Sequence, residues 1–434
     1  MKKNRLTMCI MAGMVLGIVV GYDCNVMAPN AGAAKDIAGY FSIITDVFLR
    51  LIKMIIGPLV FATLVSGIAG MGDSKAVGRI GVKAMGWFLC ASLASLFIGM
   101  FFVNVLQPGH AMNLPLPSVG AATNLKASSL NLKDFITHVF PKSFFDAMAQ
   151  NEILQILVFS VFFGFAIGSF KDNAAKTIIR FIDELGRVML KVTDYVMWFA
   201  PFGVFAAIAS VITVQGLGVL VTYGKFISGF YLALAALWIV LVSGGYVFLR
   251  GRVFTLLKQI REPMLLAFST ASSEAAYPKT LEQLKKFGVS DKISGFVLPL
   301  GYSFNLDGSM IYQAFAMIFV AQAFNIELSI SKQITILLVL MVTSKGMAGV
   351  ARASLVVVAA TLPMFNLPES GLLLIMGIDQ FLDMGRTATN VIGNSIATAV
   401  VAKWEGGLGE AGEEEIGEAE AEDDLLPMPV AVAE

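Results

Sequence analysis

A row of charged and amide side chains interrupts the last long apolar segment of the chain, residues 377–404. Its members follow one another at steps of four, three, four and four residues: Asp379, Asp383, Arg386, Asn390 and Asn394. This spacing keeps side chains on one face of an α-helix. A charge at the centre of a membrane costs about 2.5 to 3.5 kcal/mol on insertion scales, so it faces protein or a water-filled cavity. The segment is therefore predicted to be a helix that carries a functional site.

The composition indicates a polytopic membrane protein. Of the 434 residues, 57% are hydrophobic and 14% are charged, and the mean hydropathy is +0.77. An ordinary soluble domain is less apolar and more charged. The lipid bilayer is thus a predicted partner of the chain, and no nucleic-acid partner is predicted.

Eight apolar segments are long enough to cross about 30 Å of hydrocarbon: residues 6–22, 39–70, 80–106, 144–170, 178–213, 221–249, 291–323 and 371–403. Two further segments, 252–289 and 331–366, are mixed in polarity and interrupted by Ser, Gly or Pro, a pattern typical of re-entrant hairpins. The predicted fold class is an all-α polytopic membrane protein with eight transmembrane helices and two re-entrant hairpins.

The distribution of Lys and Arg predicts the orientation. These residues concentrate on one side of the eight-helix arrangement, which the positive-inside rule assigns to the cytoplasm. Both termini are then cytoplasmic, the first hairpin enters from inside and the second enters from outside. The hairpin-plus-helix units 252–323 and 331–403 form inverted repeats, which mark secondary transporters with a site near the middle of the membrane.

The seventh apolar segment contains polar residues at its middle: Asn305, Asp307, Gly308 and Ser309. Gly and Asn unwind a helix and free carbonyl groups, which are tolerated at that depth only if they line a cavity or bind a cation. A simple kink, with Asp307 paired to a buried base, is the alternative.

Both hairpins carry candidate ligand groups. The first contains hydroxyls able to hold a carboxylate by hydrogen bonds: Ser269, Thr270, Ser272 and Ser273. The second has a Gly-containing tip within residues 343–354, which suits a hinged lid. A plain re-entrant connector explains that tip equally well.

Four stretches together, TASSEA, NLDGS, SKGMAG and DMGRTATNVIGN, resemble the dicarboxylate/amino acid:cation symporter family, which has the glutamate transporter fold. The likeness covers the chain short of its acidic tail and is greatest to bacterial proton glutamate symport proteins. It implies a homotrimer in the bacterial inner membrane, in which a mobile transport domain slides past a scaffold as an elevator. The implied divisions are scaffold helices one and two at 1–76, transport-domain helix three at 77–106, an external loop at 107–143, scaffold helices four and five at 144–216, transport-domain helix six at 217–250, the transport core at 251–404 and a disordered acidic cytoplasmic tail at 405–434.

The resemblance implies substrate-binding roles for residues of the transport core. Arg386 would pair with the side-chain carboxylate of an acidic amino acid, Asp383 with its α-amino group and Asn390 with its α-carboxylate. A guanidinium fork suits a planar carboxylate. The other implied pocket residues are Ser272, Ser273, Ser309, Thr387, Ala348 and Gly349. C4-dicarboxylate carriers of the family lack the Asp of DMGRT, so this motif favours L-glutamate or L-aspartate over a C4-dicarboxylate, the alternative substrate.

The resemblance also implies cation coupling and no other cofactor. The matching positions are Asn305, Asp307, Asp379, Asn390, Asn394 and Ser92, with sodium at Asn305, Asp307 and Asn390. At four positions this chain differs from sodium-coupled members of the family. It has Asn394 where they have Asp, Phe88 where they have Tyr, Ala91 where they have Thr, and Leu306 where they have Met. Fewer oxygen ligands and one less carboxylate bind a hard cation more weakly, so protons are favoured over sodium. The tip of the second hairpin also differs from the family pattern, because it has Ala351 and Arg352 in place of Pro and Gly.

Proton coupling requires a carboxylate whose protonated form is favoured by burial. Glu274 is the candidate because it stands at the tip of the first hairpin, beside the serines. Animal relatives carry a protonatable Glu where this chain has Gln313. The alternative is a solvated Glu274 that caps the helix following it.

A channel and an intramembrane enzyme are the competing classes. A channel needs a continuous polar path, whereas hairpins that enter from opposite sides predict an occluded site. An enzyme needs a nucleophile with a base, or a set of metal ligands. The two histidines, His110 and His138, lie outside the predicted membrane segments. A transporter rather than an enzyme is therefore predicted.

Overall fold

The computed structural model describes residues 3–71, 74–111, 137, 139–170, 173–218, 223–344 and 353–409. Within these residues the chain is helical, and its β-structure is confined to one isolated bridge between Val289 and Leu408. The predicted all-α class is therefore confirmed. His138, the second hairpin tip with Ala348, Gly349, Ala351 and Arg352, and residues 410–434 of the predicted tail lie outside the described residues.

The helices follow one another in this order: α1 Lys3–Met27, α2 Ala31–Met71, α3 Ser74–Leu106, α4 Pro108–Ala111, α5 Phe144–Gln150, α6 Ile153–Ser169, α7 Asn173–Met197, α8 Ala200–Gln215, α9 Gly224–Leu249, α10 Arg252–Thr270, α11 Ser273–Lys286, α12 Asp291–Phe304, α13 Asp307–Ala323, α14 Ile330–Thr343, α15 Ala353–Thr361, α16 Leu373–Met376 and α17 Asp379–Trp404. Two 3-10 turns, Leu362–Phe365 and Glu369–Leu372, connect α15 to α16.

Helices α1, α2 and α6 to α8 pack together as one group. Helix α2 has 41 residues and is about 61 Å long at 1.5 Å per residue, so it extends well beyond the hydrocarbon layer. It packs against α6, α7 and α8. Glycines at steps of four bring α1 close to α8, because a Cβ on Gly21 would lie 2.8 Å from the carbonyl oxygen of Ala209. Small residues allow such close helix packing in membranes.

Length and composition alone identify fewer than eight spans among the described residues, because some of the predicted segments are built from short or polar helices. Five helices are long and apolar enough to cross a membrane, or six if the bent pair α7 and α8 forms one span. The segment predicted at 178–213 consists of two helices, α7 and α8, which together are apolar enough for one span and meet at an angle of 54°. Helix α7 is rich in charged residues. Helix α6 has only 17 residues. Helix α17 is polar along one face and is surrounded by protein.

The first hairpin consists of α10 and α11. Ala271 has a positive φ of 48° and ends α10, and the Ser272 hydroxyl accepts a hydrogen bond of 3.2 Å from the Ala275 amide to cap α11. Such a cap satisfies one of the free amides at a helix start. The predicted interruption of the seventh segment is confirmed, because α12 ends at Phe304 and α13 begins at Asp307. The second hairpin contains α14 and α15, which both pack against α13.

Helix α17 lies at the centre of the second group of helices. It contacts α3, α9, α10, α11, α12 and α13, and its residues from Met384 to Ala402 are buried. Two bonds fix α9 against it: Tyr231 Oη donates to the Phe381 carbonyl over 2.7 Å, and Trp238 Nε1 donates to Thr389 Oγ1 over 2.8 Å. The polar face of α17 therefore lies within this group of helices, as the cost of exposing charge to lipid requires.

The residues that follow α17 are attached to neighbouring elements. Glu405 pairs with Arg79 at 2.7 Å and with Lys83 at 2.6 Å, two bases on α3. The Gly409 amide donates to the Gly288 carbonyl over 2.9 Å. The first five residues of the predicted acidic tail, 405–409, are thus bound to the helical core.

Candidate functional site

Arg386 is held by two carboxylates of its own helix. Its Nη2 atom lies 3.1 Å from Asp379 Oδ1 and 3.0 Å from Asp383 Oδ1. The guanidinium also stacks on the ring of Tyr312, with 4.0 Å between Cζ and the ring centroid. Its side chain is 1% exposed, and such a buried charge is tolerated only when paired. Nη1 has no hydrogen-bond partner among the described residues, so this donor can bind a ligand.

Arg386 lines a cavity of about 450 Å³. Every predicted substrate-binding residue that the structure describes also lines it: Ser272, Ser273, Ser309, Asp383, Arg386, Thr387 and Asn390. Glu274 lies in the same wall. The structure therefore brings together residues of the first hairpin, α13 and α17, of which Ser272 and Asn390 are more than 100 positions apart in the chain.

Close packing between α13 and α17 positions the floor of the cavity. Asn390 Oδ1 accepts a hydrogen bond of 2.9 Å from the Gly308 amide. A Cβ on Gly308 would collide with the carbonyl oxygen of Arg386, so only glycine permits this approach. Thr387 Oγ1 donates to the carbonyl oxygen of Ala267 over 2.9 Å, which attaches α17 to the first hairpin.

A second polar cluster lies where α12 gives way to α13. Asn305 Nδ2 donates to Asp307 Oδ2 over 3.2 Å and to Asn394 Oδ1 over 3.1 Å. Ser95 Oγ on α3 lies 3.5 Å from Asp307 Oδ1. All four side chains are buried. Asn305 Oδ1 has no hydrogen-bond partner among the described residues, so this oxygen is open to a hard cation beside the Asp307 carboxylate.

The other predicted cation positions are distributed differently. Asp379 forms an ion pair with Arg386, and Asn390 Oδ1 accepts a hydrogen bond from the Gly308 amide. Ser92 is buried on α3. Phe88 and Ala91 are buried on the same helix, where their hydrocarbon side chains supply no oxygen ligand.

Sequence reasoning missed several contributors to the site. Tyr312 lies three residues after Ser309 on α13, a helical spacing that could have signalled its contact with the same cavity. The opposite wall comes from α2 and α8 and includes Asp46, Lys53 and Ser210. No local signal in the sequence pointed to these residues, because their position depends on packing between distant helices.

A broken helix, a re-entrant hairpin and a cavity with buried charges of both signs define a secondary transporter of the membrane. The chain belongs to the sodium:dicarboxylate symporter family, whose model matches residues 6–404. The predicted family is thereby confirmed, and the chain is a multi-pass cation symporter for a small molecule.

Several named relatives are similar over nearly the whole chain. The proton/sodium-glutamate symport protein of Bacillus caldotenax is 40% identical over 413 residues, which cover 94% of this chain and 96% of the relative. The equally named protein of Geobacillus stearothermophilus is 41% identical with the same coverage. A C4-dicarboxylate transport protein of Citrifermentans bemidjiense is 40% identical over 431 residues, 96% of this chain and 95% of the relative.

Proposed function

We propose that this protein imports L-glutamate and L-aspartate together with protons. The observation that carries this proposal is the pairing of Asp383 and Arg386 in one cavity wall. Arg386 Nη1 has no hydrogen-bond partner among the residues that the structure describes, and we assign this donor to a distal carboxylate. The Asp383 side chain is 23% exposed and offers a carboxylate to an ammonium group. An acidic amino acid carries both complementary groups, so it leaves neither protein charge unpaired.

A C4-dicarboxylate is the second candidate substrate, because relatives of both names match the chain at about the same identity. It has no ammonium group. Asp383 would then face carboxylate oxygens, and like charges at short distance disfavour binding. The charge arrangement of the cavity therefore favours the amino acid.

The charge of the site supports coupling to a cation. Arg386 is outnumbered by Asp379 and Asp383, and an acidic amino acid adds one further net negative charge. A bound cation reduces this repulsion. Protons suit this chain better than sodium, because α3 presents hydrocarbon at Phe88 and Ala91. Glu274, in the cavity wall, is the proposed proton carrier, and no other cofactor takes part.

The arrangement of the cavity also supports an elevator mechanism. One wall comes from α2 and α8, and the other from the first hairpin, α13 and α17. Movement of the second wall past the first would expose the site to either side of the membrane. By its resemblance to the family, the protein is proposed to be a homotrimer of the bacterial inner membrane with both termini in the cytoplasm.

Purified protein in liposomes tests the proposal. Uptake of labelled L-glutamate is measured with an inward proton gradient and an inward sodium gradient imposed separately, with succinate as competitor. Accumulation driven by the proton gradient alone and little affected by succinate is expected. Accumulation that needs sodium and ignores pH would reject proton coupling, and uptake of succinate in preference to glutamate would reject the substrate.

A further inference from the structure

One end of the second group of helices is strongly basic. Four described stretches at the helix ends form it: residues 75–83, 250–262, 279–292 and 403–405. They contain twelve Lys or Arg and four Asp or Glu. Contacts join them in pairs, since Glu405 pairs with Arg79 at 2.7 Å and Arg252 Nη2 donates to the Phe287 carbonyl oxygen over 3.2 Å. We call this surface the basic end.

The last described residues of the chain are attached to the basic end. The Ser290 amide donates to the Gly407 carbonyl oxygen over 3.0 Å, and the Gly409 amide donates to the Gly288 carbonyl oxygen over 2.9 Å. Arg252 Nη2 also donates to the carbonyl oxygen of Gly409, over 2.8 Å. The sequence that follows Gly409 therefore starts on this surface.

That sequence is strongly acidic. Residues 410–424 contain nine Asp or Glu and no Lys or Arg, whereas the whole chain has a formal net charge of zero. A stretch of this composition has too few apolar residues to form a core of its own. At full extension it spans about 50 Å. Three exposed lysines of the basic end, Lys258, Lys292 and Lys403, are each within six positions of a residue in the bonds around Gly409, so they lie within its reach.

Attachment at Gly409 keeps the acidic segment close to these bases. A segment joined to its binding surface by a short link has an effective concentration in the millimolar range. Exposed charges attract one another within a Debye length, about 8 Å at physiological salt, so the attraction requires such proximity. Single exposed ion pairs contribute little. Here, however, nine carboxylates can act together on a surface whose bases outnumber its acids by eight.

We propose that the basic end binds the acidic segment 410–424 of the same chain. The proposal goes beyond the transport function and depends neither on the substrate nor on the coupled ion. Anionic lipid headgroups are the competing ligand, because the basic end lies on the side predicted to be cytoplasmic. The acidic segment is the favoured ligand, since its covalent attachment at Gly409 keeps it at the surface whatever the lipid composition.

Carbodiimide cross-linking tests the proposal, because it joins a carboxylate directly to a lysine amine in contact with it. In nanodiscs of phosphatidylcholine, the full-length protein should form cross-links from residues 410–424 to Lys258, Lys292 and Lys403, identified by mass spectrometry. The product should run as a monomer on denaturing gels. Lys176 on α7 is exposed on the same predicted side and serves as the internal comparison. Cross-links that are absent, that join two chains, or that form equally well to Lys176 would overturn the proposal.

The lipid composition of the nanodiscs separates the two ligands. When half of the phosphatidylcholine is replaced by anionic phosphatidylglycerol, the cross-links to the basic end should persist at similar yield. Their loss in the anionic nanodiscs would assign the basic end to the lipid surface and overturn the proposal.

Proteolysis provides a second measurement. A protease that cleaves after Glu should cut segment 410–424 slowly while the segment is bound, because the cleavage rate follows the unbound fraction. The triple variant Lys258→Gln, Lys292→Gln, Lys403→Gln should be cut roughly threefold faster or more.

The matched control removes three exposed lysines elsewhere: Lys35→Gln, Lys176→Gln and Lys225→Gln. It should be cut at the wild-type rate, and all three proteins should elute alike in gel filtration. Equal cleavage rates in the two triple variants would contradict binding of the segment at the basic end.

Discussion

Arg386 and Asp379 form an ion pair across two turns of α17, with 3.1 Å between Nη2 and Oδ1 and both side chains 1% exposed. A second carboxylate, that of Asp383, pairs with the same nitrogen, with 3.0 Å between Nη2 and Oδ1. The guanidinium is thus fixed in place before any substrate arrives, and within the described part of the chain its Nη1 atom has no hydrogen-bond partner. A preorganised donor of this kind loses little entropy on binding.

Replacement of Arg386 by Ala is expected to abolish transport of acidic amino acids. The distal carboxylate would be desolvated without a partner, and the loss of one member of a buried charge pair costs about 2–5 kcal/mol. Binding of L-aspartate should weaken accordingly, as measured by calorimetry on protein that elutes normally in gel filtration. Undiminished glutamate uptake by this variant would show that Arg386 does not select the substrate.

Asp383→Asn should separate amino acids from dicarboxylates. The variant loses the negative charge proposed to face the ammonium group, so the dissociation constant for L-aspartate should rise. The constant for succinate should not rise, because succinate has no ammonium group. Titration of both ligands into both proteins makes the comparison. An unchanged constant for L-aspartate would mean that the carboxylate of Asp383 does not contact the substrate.

The aromatic ring beneath Arg386 is expected to contribute to affinity through a cation–π contact. Such a contact is worth about 0.5–2 kcal/mol, so Tyr312→Leu should weaken L-aspartate binding by roughly twofold to thirtyfold. Tyr312→Phe keeps the ring and serves as the matched control, with affinity close to that of the wild type. Equal losses in the two variants would assign the effect to the hydroxyl instead.

Glu274→Gln is expected to uncouple transport from the proton gradient. The amide cannot release a proton, so an inward pH gradient should no longer drive glutamate accumulation in liposomes. Exchange of internal for external glutamate needs no net proton movement and should survive. If the variant still accumulates glutamate in response to pH, the proton is carried elsewhere, with Asp379 or Asp307 as the next candidates.

Glu405 should stabilise the fold in a pH-dependent manner. Hydrogen bonds from Arg79 and Lys83 hold the pKa of the Glu405 carboxyl below its usual range. This stabilisation is present above the unfolded pKa of about 4.3 and is lost as the pH falls through the lower folded pKa. Glu405→Gln should therefore lower the melting temperature at pH 7, by the equivalent of about 1 kcal/mol or less, and the difference from wild type should shrink in acid.

A matched control for this measurement is Glu184→Gln. Glu184 pairs only at the surface with Arg187, at 3.6 Å with both side chains more than half exposed, and such pairs contribute little. Its melting temperature should equal that of the wild type at both pH values. A Glu405→Gln protein as stable as this control at pH 7 would contradict the role of the pairing.

Spacing within single helices was sufficient to predict much of the site. The steps that separate Asp379, Asp383 and Arg386 put them on one face of α17, because helix geometry fixes which residues are neighbours. In the same way, the presence of Asn305 and Gly308 in the middle of an apolar segment predicted the interruption between α12 and α13. Hydropathy was less reliable at 178–213, because an average over a window hides both the bend after α7 and the charges along that helix.

The tertiary structure decided which distant residues meet. Three features of the site depend on how separate helices pack. Tyr312 stacks on Arg386, Ser95 contacts Asp307, and α2 supplies part of one wall of the cavity. Sequence periodicity describes one helix at a time and contains no information on its partners. Contacts between elements arise from burial of whole surfaces and from the close approach that residues such as Gly308 allow, and these become visible only when the chain is folded.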